Sequence, residues 1–223
     1  VVDSQQIQLL AFDLDGTLVD SAQGIVDTVN QVLVEHGFAG AEYRQIAPWI
    51  GLPLQVFWER LTDFGPENYA ILTERYRTIY REIAIPSSRL FAGVAETISE
   101  LKSAGYRLTI ASSKITPVSA AVLQQVGLFE YFDLLMGNDS VTQPKPHAEM
   151  LEKTLASFGL NSAQALMIGD TTHDITLGHN AQVASVAVTT GTHDVATLSA
   201  AQPAAILNQL SELPAWLAQS AQR

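Results

Sequence analysis

Hydrophobic and polar positions follow two rhythms along this chain. Near the start, Ile7 to Phe12 is a nearly unbroken apolar run that ends abruptly on Asp13-Leu14-Asp15-Gly16-Thr17. Its length and abrupt ending predict a buried strand, with Leu14 turned into the core and the two carboxylates sharing the opposite face. The rhythm then becomes helical. Ile25, Val26, Val29, Val32 and Leu33 recur at three- and four-residue intervals, predicting a helix capped by Asp20 or Ser21, running to about His36 and stopped by Gly37. Two more helices are predicted, from Pro53 to about Thr62 and from Pro66 to about Ile83, each with proline at a position helix starts tolerate. Pro86-Ser87-Ser88 breaks that pattern, and no strand signal falls between 20 and 88.

From Gly93 onward, short apolar runs alternate with helical stretches. A helix from Val94 to Ala104 stops at Gly105, and a strand from Leu108 to Ala111 follows. A helix from Pro117 to Val126 stops at Gly127, and the run Phe132 to Met136 precedes a helix from Pro146 to Phe158. A strand from Ala165 to Ile168, a helix from Thr172 to Asn180 and a strand from Ala184 to Val188 complete the series. Such alternation predicts an α/β fold, a parallel sheet with helices on both faces. The first strand belongs with this sheet. The expected organisation is therefore an α/β core from 1–19 and 89–223, interrupted by an all-helical insertion from 20–88.

Composition narrows the classes. A net charge of −11 opposes a general nucleic-acid partner, and the absence of cysteine removes disulfides and thiolate metal sites. No apolar run approaches membrane-spanning length and no leader-like segment opens the chain, so no membrane partner and a cytoplasmic location are expected. The segment from 21 to 89 holds six arginines and no lysine.

Chemistry-bearing residues gather where the predicted strands end, the place where open α/β sheets bind ligands. Asp13 and Asp15 follow the first strand. Ser112-Ser113-Lys114 follows the second, with a hydroxyl and backbone N–H groups suited to an anion. Lys145 lies between Pro144 and Pro146. Gly169-Asp170-Thr171-Thr172-His173-Asp174 follows the strand ending at Ile168. Carboxylates without cysteine suit a hard cation such as Mg2+, and a lysine and hydroxyl facing it suit a phosphate. A calcium-binding loop does not fit, because Gly16 stands fourth from Asp13 rather than sixth. Each part has a plainer reading too: Ser112-Ser113 as a helix cap, Lys145 as a solvated lysine, Asp174 as a favourable charge in a first helical turn, His173 and His193 as surface or loop residues, and Trp49, Phe57 and Trp58 as insertion core.

Taken together, these motifs resemble the haloacid dehalogenase superfamily, in its phosphoglycolate-phosphatase-like branch. The likeness rests on Asp13-Leu14-Asp15-Gly16-Thr17, Ser112, Lys145, and Gly169-Asp170 with Asp174, in that order, and on Ile50-Gly51-Leu52-Pro53-Leu54 and Lys145-Pro146-His147. The resemblance implies a three-layer Rossmann-like core with a helical cap, and a Mg2+-dependent phosphatase acting on a small phosphorylated metabolite. It makes Asp13 the nucleophile and Asp15 the general acid and base. Asp13, Asp170 and the backbone carbonyl of Asp15 become metal ligands, with Asp174 behind them. Ser112, Ser113, Lys145 and Thr17 are expected at the phosphate, and Gly51 and Leu52 at the rest of the substrate. Where relatives carry Ala-Gly after the helix that follows Asp174, this chain has Ala181-Gln182.

Other chemistries of the superfamily are weighed on the same residues. Phosphonate cleavage needs a cap lysine, which is absent, and dehalogenases lack an acid at the position of Asp15. A sugar phosphomutase shares the core and stays open as an alternative, as does a non-catalytic binding module. Among phosphatase substrates, 2-phosphoglycolate, sugar phosphates, nucleoside monophosphates and pyrophosphate all remain open.

Overall fold

The structure, a computed structural model, describes residues 4–220. The chain opens with β1 (Leu9–Phe12), passes through a tight turn and enters β2 (Val19–Asp20). Five helices follow: α1 (Ala22–Glu35), α2 (Tyr43–Ile46), α3 (Leu54–Leu61), α4 (Tyr69–Ile79) and α5 (Ile85–Ser87). The chain returns through β3 (Arg89–Leu90), which pairs antiparallel with β2. The remainder alternates: α6 (Val94–Ser103), β4 (Arg107–Ala111), α7 (Thr116–Gln125), β5 (Leu134–Met136), α8 (Glu149–Phe158), β6 (Ala165–Gly169), α9 (Thr172–Asn180), β7 (Ala184–Val188), α10 (Val195–Ala200), β8 (Ala205–Leu207) and α11 (Leu213–Ser220).

The six longer strands form one parallel sheet in the order β5-β4-β1-β6-β7-β8. β1 is central and every residue in it is buried, because it must face helices on both sides. Its alternation divides two cores. Leu10 and Phe12 join Val94, Ile98 and Val122 on one face, while Leu9 and Ala11 join Met150, Leu151 and Leu177 on the other. The first of these cores runs on into the helical insertion through Leu18, Val19, Ile25 and Tyr80. The insertion therefore packs against the sheet domain with continuous apolar contact, while the β2–β3 pair ties its two ends together.

Several elements depart from the sequence expectations. The helix expected to break near Pro86 instead passes from α4 through a π-helical stretch, Tyr80–Ala84, into α5. Its end is closed by the Ser87 and Ser88 hydroxyls, which donate back to the carbonyls of Ile83 and Ala84. α8 starts at Glu149 rather than Pro146, since a turn closed by His147 N–H on the Pro144 carbonyl (3.0 Å) precedes it. α2, α10, β8 and α11 were not anticipated, being too short or too weakly periodic to register. Ser21 stands at the head of α1, but its hydroxyl makes no capping bond. Likewise α7 begins beyond Ile115, so Ser112-Ser113 do not cap it. Gln182 adopts φ +56°, the left-handed conformation that explains why glycine suits this position in relatives. Trp49, Phe57 and Trp58 do form insertion core: Trp58 is fully buried with its indole N–H on Thr73 (2.9 Å), and Phe57 packs edge-on to Trp49.

Candidate active site

β1 ends at Phe12, so Asp13 and Asp15 both lie in the following turn rather than alternating along a strand. Asp13 is held by its own N–H on the Ile168 carbonyl (2.8 Å), which carries the β1–β6 pairing one residue further. Lys145 reaches the same place from the far side, donating to Asp13 Oδ1 (2.7 Å) and Asp174 Oδ1 (2.6 Å). The other Asp174 oxygen accepts from the Thr171 N–H (3.0 Å) and hydroxyl (2.7 Å) in a capping box that opens α9. Asp170 accepts from the Thr17 hydroxyl (3.0 Å) and the Thr192 N–H (3.2 Å). All four charged groups are buried.

Charge in this cluster is unbalanced, three carboxylates to one ammonium. Burial pushes the Asp13 carboxyl up to about 7; Lys145 opposes the rise, while Asp174 and Asp15 reinforce it. Asp170 is pushed up for the same reason, burial first and then the neighbouring Asp13 and Asp174. For Lys145 burial works against the charge, but the two carboxylates prevail and hold its pKa above the ordinary lysine value. Ligand oxygens of Asp13, Asp170 and Asp174 lie within 4.8 Å of one another. Crowded, buried, purely oxygen donors with excess negative charge fit a hard divalent cation.

Two glycines permit this crowding. Gly16, at φ +80°, lies so close to Asp170 that a Cβ there would come within 2.4 Å of its carboxylate. At Gly191 the gap would be 1.7 Å. A side chain at either position would force the Asp170 carboxylate or the turn beside it to shift.

Asp15 faces elsewhere. Its carboxylate pairs with Lys114 (2.8 Å) and accepts from the Ser21 hydroxyl (2.5 Å). Lys114 is itself half-buried and lies 4.3 Å over the Tyr80 ring; burial disfavours its charge, yet Asp15 and the surrounding groups hold its pKa above the ordinary value. Asp13, Asp15, Ser112, Ser113 and Lys114 line one cavity of about 390 Å3 between sheet and insertion, whose opposite wall includes Gly51, Leu52 and Tyr76. The insertion touches the sheet domain polar group to polar group as well. The Ser113 hydroxyl donates to the Gly51 carbonyl (2.5 Å), and His193, which accepts from the Thr172 N–H (3.1 Å), donates to the Pro48 carbonyl.

Of the residues singled out in the sequence, Asp13, Lys145, Asp170 and Asp174 meet in the buried cluster. Asp15, Ser112, Ser113, Gly51 and Leu52 line the adjoining cavity. Ser112 contacts Lys114 N–H through its hydroxyl (3.2 Å). Thr17, expected at the phosphate, is instead fully buried and spends its hydroxyl on Asp170, because the turn after β1 folds it under the cluster. His193 lies in a loop and His173 in the first turn of α9, both half-buried, with ring centroids 6.1 Å apart and pKa values lowered chiefly by burial. In the sequence Lys114 stands beside Ser112-Ser113 with no role of its own, and Ser21 reads only as a helix cap. Nothing in the spacing marked Tyr76 and Tyr80.

The residues that match a known family extend across both parts of this arrangement. Residues 10–188 match the model of the haloacid dehalogenase-like hydrolases, and the chain belongs to that family. Among its relatives, a protein of Dickeya dadantii named "Probable phosphatase IndB" is 37% identical over 209 residues, covering 92% of this chain and 91% of that protein. The phosphoglycolate phosphatase of Photorhabdus laumondii is 32% identical over 212 residues, covering 93% and 91%. In structure, the chain is similar to a predicted phosphoglycolate phosphatase from Haemophilus somnus 129pt, with a TM-score of 0.88 at 27% identity, covering 95% of this chain and 98% of that one.

Proposed function

We propose that this chain, a phosphatase of the haloacid dehalogenase-like family, is a Mg2+-dependent enzyme that cleaves small phosphate monoesters through a phosphoaspartyl intermediate on Asp13. One observation carries the reading. Asp13 sits where the carboxylate cluster meets the cavity, held by Lys145 and neighboured by Asp15, which lines the same cavity.

An Asp13 oxygen attacks phosphorus while the ester oxygen departs with a proton from Asp15. Asp15 then takes a proton from water, the water oxygen attacks the phosphoaspartyl phosphorus, and inorganic phosphate leaves with Asp13 restored. Lys145 holds Asp13 in place and offsets charge on the attacking oxygen and the phosphoryl group. Ser112 and the Ser113 N–H hold phosphoryl oxygens. Mg2+, held by Asp13, Asp170 and the Asp15 carbonyl, would neutralise phosphate charge and let an anionic nucleophile approach; Asp174 supports that set through Lys145 and Thr171. The insertion, 20–88, closes the cavity over the core, 1–19 and 89–223, of which residues 1–3 and 221–223 lie outside the described residues.

The names of relatives make 2-phosphoglycolate a substrate to test. Among the described residues no helix is long and apolar enough to cross a membrane; a cytoplasmic location belongs to the same proposal. The direct test is phosphate release from p-nitrophenyl phosphate with Mg2+. Asp13→Asn is expected to lower turnover by at least about a thousandfold, and Asp15→Asn by about a hundredfold or more. Turnover unaffected by Asp13→Asn would sink the mechanism.

A further inference from the structure

Residues 47–53 of the insertion rest on the loops that follow three different strands. The Gly51 carbonyl accepts from the Ser113 hydroxyl (2.5 Å), beyond β4. A Cβ on Gly51 would lie 3.6 Å from the Thr171 methyl, beyond β6. The Pro48 carbonyl accepts from His193, beyond β7. Ser113 also serves the phosphate in the proposed reaction, whereas His193 stands outside that chemistry.

His193 holds two partners at once. Its Nδ1 accepts from the Thr172 N–H (3.1 Å), and a backbone N–H can only donate, so the ring proton sits on Nε2. Nε2 is therefore the atom that donates to the Pro48 carbonyl. Only a neutral ring accepts on one nitrogen while donating from the other. Burial lowers the His193 pKa and so favours that neutral form.

Each partner occupies a consequential place. Thr172 is the first residue of α9, where opening N–H groups have no partner within the helix. The residue before His193, Thr192, donates its N–H to Asp170 (3.2 Å), and Gly191 lies against the same carboxylate. On the other side, Pro48 is exposed and adjoins Trp49, which is half-buried in contact with Phe57 and Arg60. One imidazole thus joins the insertion to the segment that shapes the carboxylate cluster.

We propose that His193 is a positioning residue, a strap that holds the 47–53 loop down over the cavity. The Nε2 bond to Pro48 is the working contact, and the Nδ1 bond to Thr172 fixes the ring so that Nε2 meets the insertion. The strap governs how firmly the insertion stays closed over a bound ester and takes no part in bond breaking at phosphorus. Its effect on turnover rests on the phosphatase reading above; its hold on the loop does not.

The two nitrogens are separable, because each has an amide counterpart. The oxygen of an asparagine amide is bonded to Cγ, as Nδ1 is, so it can accept from Thr172 but is too short to reach Pro48. The nitrogen of a glutamine amide lies one bond farther out, as Nε2 does, and can donate to Pro48. His193→Ala, His193→Asn and His193→Gln are therefore compared with the unsubstituted chain in two readouts. The first is kcat/KM for p-nitrophenyl phosphate with Mg2+, with Asp13→Asn as the blank. His193→Ala and His193→Asn should each lower it by about fivefold, the worth of one hydrogen bond, through KM with kcat kept within about twofold. His193→Gln should stay within about twofold of the unsubstituted chain in both constants. The second readout is tryptophan emission without substrate or cation. Release of the loop should expose Trp49 and move the emission to longer wavelength in His193→Ala and His193→Asn, but not in His193→Gln.

Both readouts must group His193→Gln with the unsubstituted chain and His193→Asn with His193→Ala; any other grouping in either one overturns the strap. The reverse grouping would make His193 a cap of α9 and nothing more. If His193→Ala fails to fold, the other two variants decide. No Asp13-dependent phosphate release overturns the phosphatase reading instead, and emission then decides the strap by itself.

Discussion

Asp13 carries an ionisable group into a place where little water reaches it and two other carboxylates crowd it. Its pKa rises from 3.8 to about 7, so between those values the folded protein holds a proton that the unfolded chain has released. An acid with a raised folded pKa contributes stability at low pH that is lost as pH climbs from about 4 through 7. The metal-free protein should therefore be penalised near neutrality at this residue. We expect the melting temperature of Asp13→Asn, relative to the unsubstituted chain without divalent cation, to rise between pH 4 and pH 8. The gain should be several degrees, at roughly 2–4 °C per kcal/mol. A difference that stays flat across that range in thermal denaturation would contradict the charge crowding. Lys145 opposes the effect, since it already offsets part of the charge on Asp13.

Between the elements, the loop over residues 47–53, ahead of α3, decides how the insertion meets the sheet. Gly51, at φ +96°, turns its carbonyl to the Ser113 hydroxyl, and Pro48 lies within reach of His193. One neutral hydrogen bond of this kind contributes about 1 kcal/mol, or about fivefold in an equilibrium. Ser113→Ala should thus lower kcat/KM by about fivefold for every phosphate ester alike, because it loosens closure rather than altering the leaving-group wall. A loss confined to one substrate, in steady-state kinetics, would mean that Ser113 reads the substrate instead. The π-helical stretch Tyr80–Ala84 acts at the same scale, since it lies in the helix that supplies Tyr76 and Tyr80 to the cavity wall.

Across the whole molecule, the parallel sheet gathers the ends of β1, β4 and β6 at one edge, and the insertion closes over them. A cation held by Asp13, Asp170 and the Asp15 carbonyl would relieve repulsion among the crowded carboxylates that only the folded chain creates. Mg2+ should accordingly raise the melting temperature, with a stabilisation of about 2.7 kcal/mol at one hundred times its dissociation constant. Asp170→Asn should abolish most of that rise. A melting temperature indifferent to Mg2+ in scanning calorimetry would speak against a metal at this cluster.

The sequence by itself determined the elements whose signal is local. Solid apolar runs marked β1, β4 and β6, and three- and four-residue spacing marked α1, because the residues that decide such elements are near neighbours. It also marked Asp13 and Asp170, polar residues just past buried apolar strands, and Lys145 and Asp174 through their place in the series of motifs. Tertiary structure decided the rest. Thr17 turned under Asp170, Ser21 left its capping role for Asp15, Lys114 closed an ion pair on Asp15, and Tyr80 came to the cavity wall. These outcomes depend on turns and on packing between segments far apart in the chain. Local periodicity carries no information about distances of that kind.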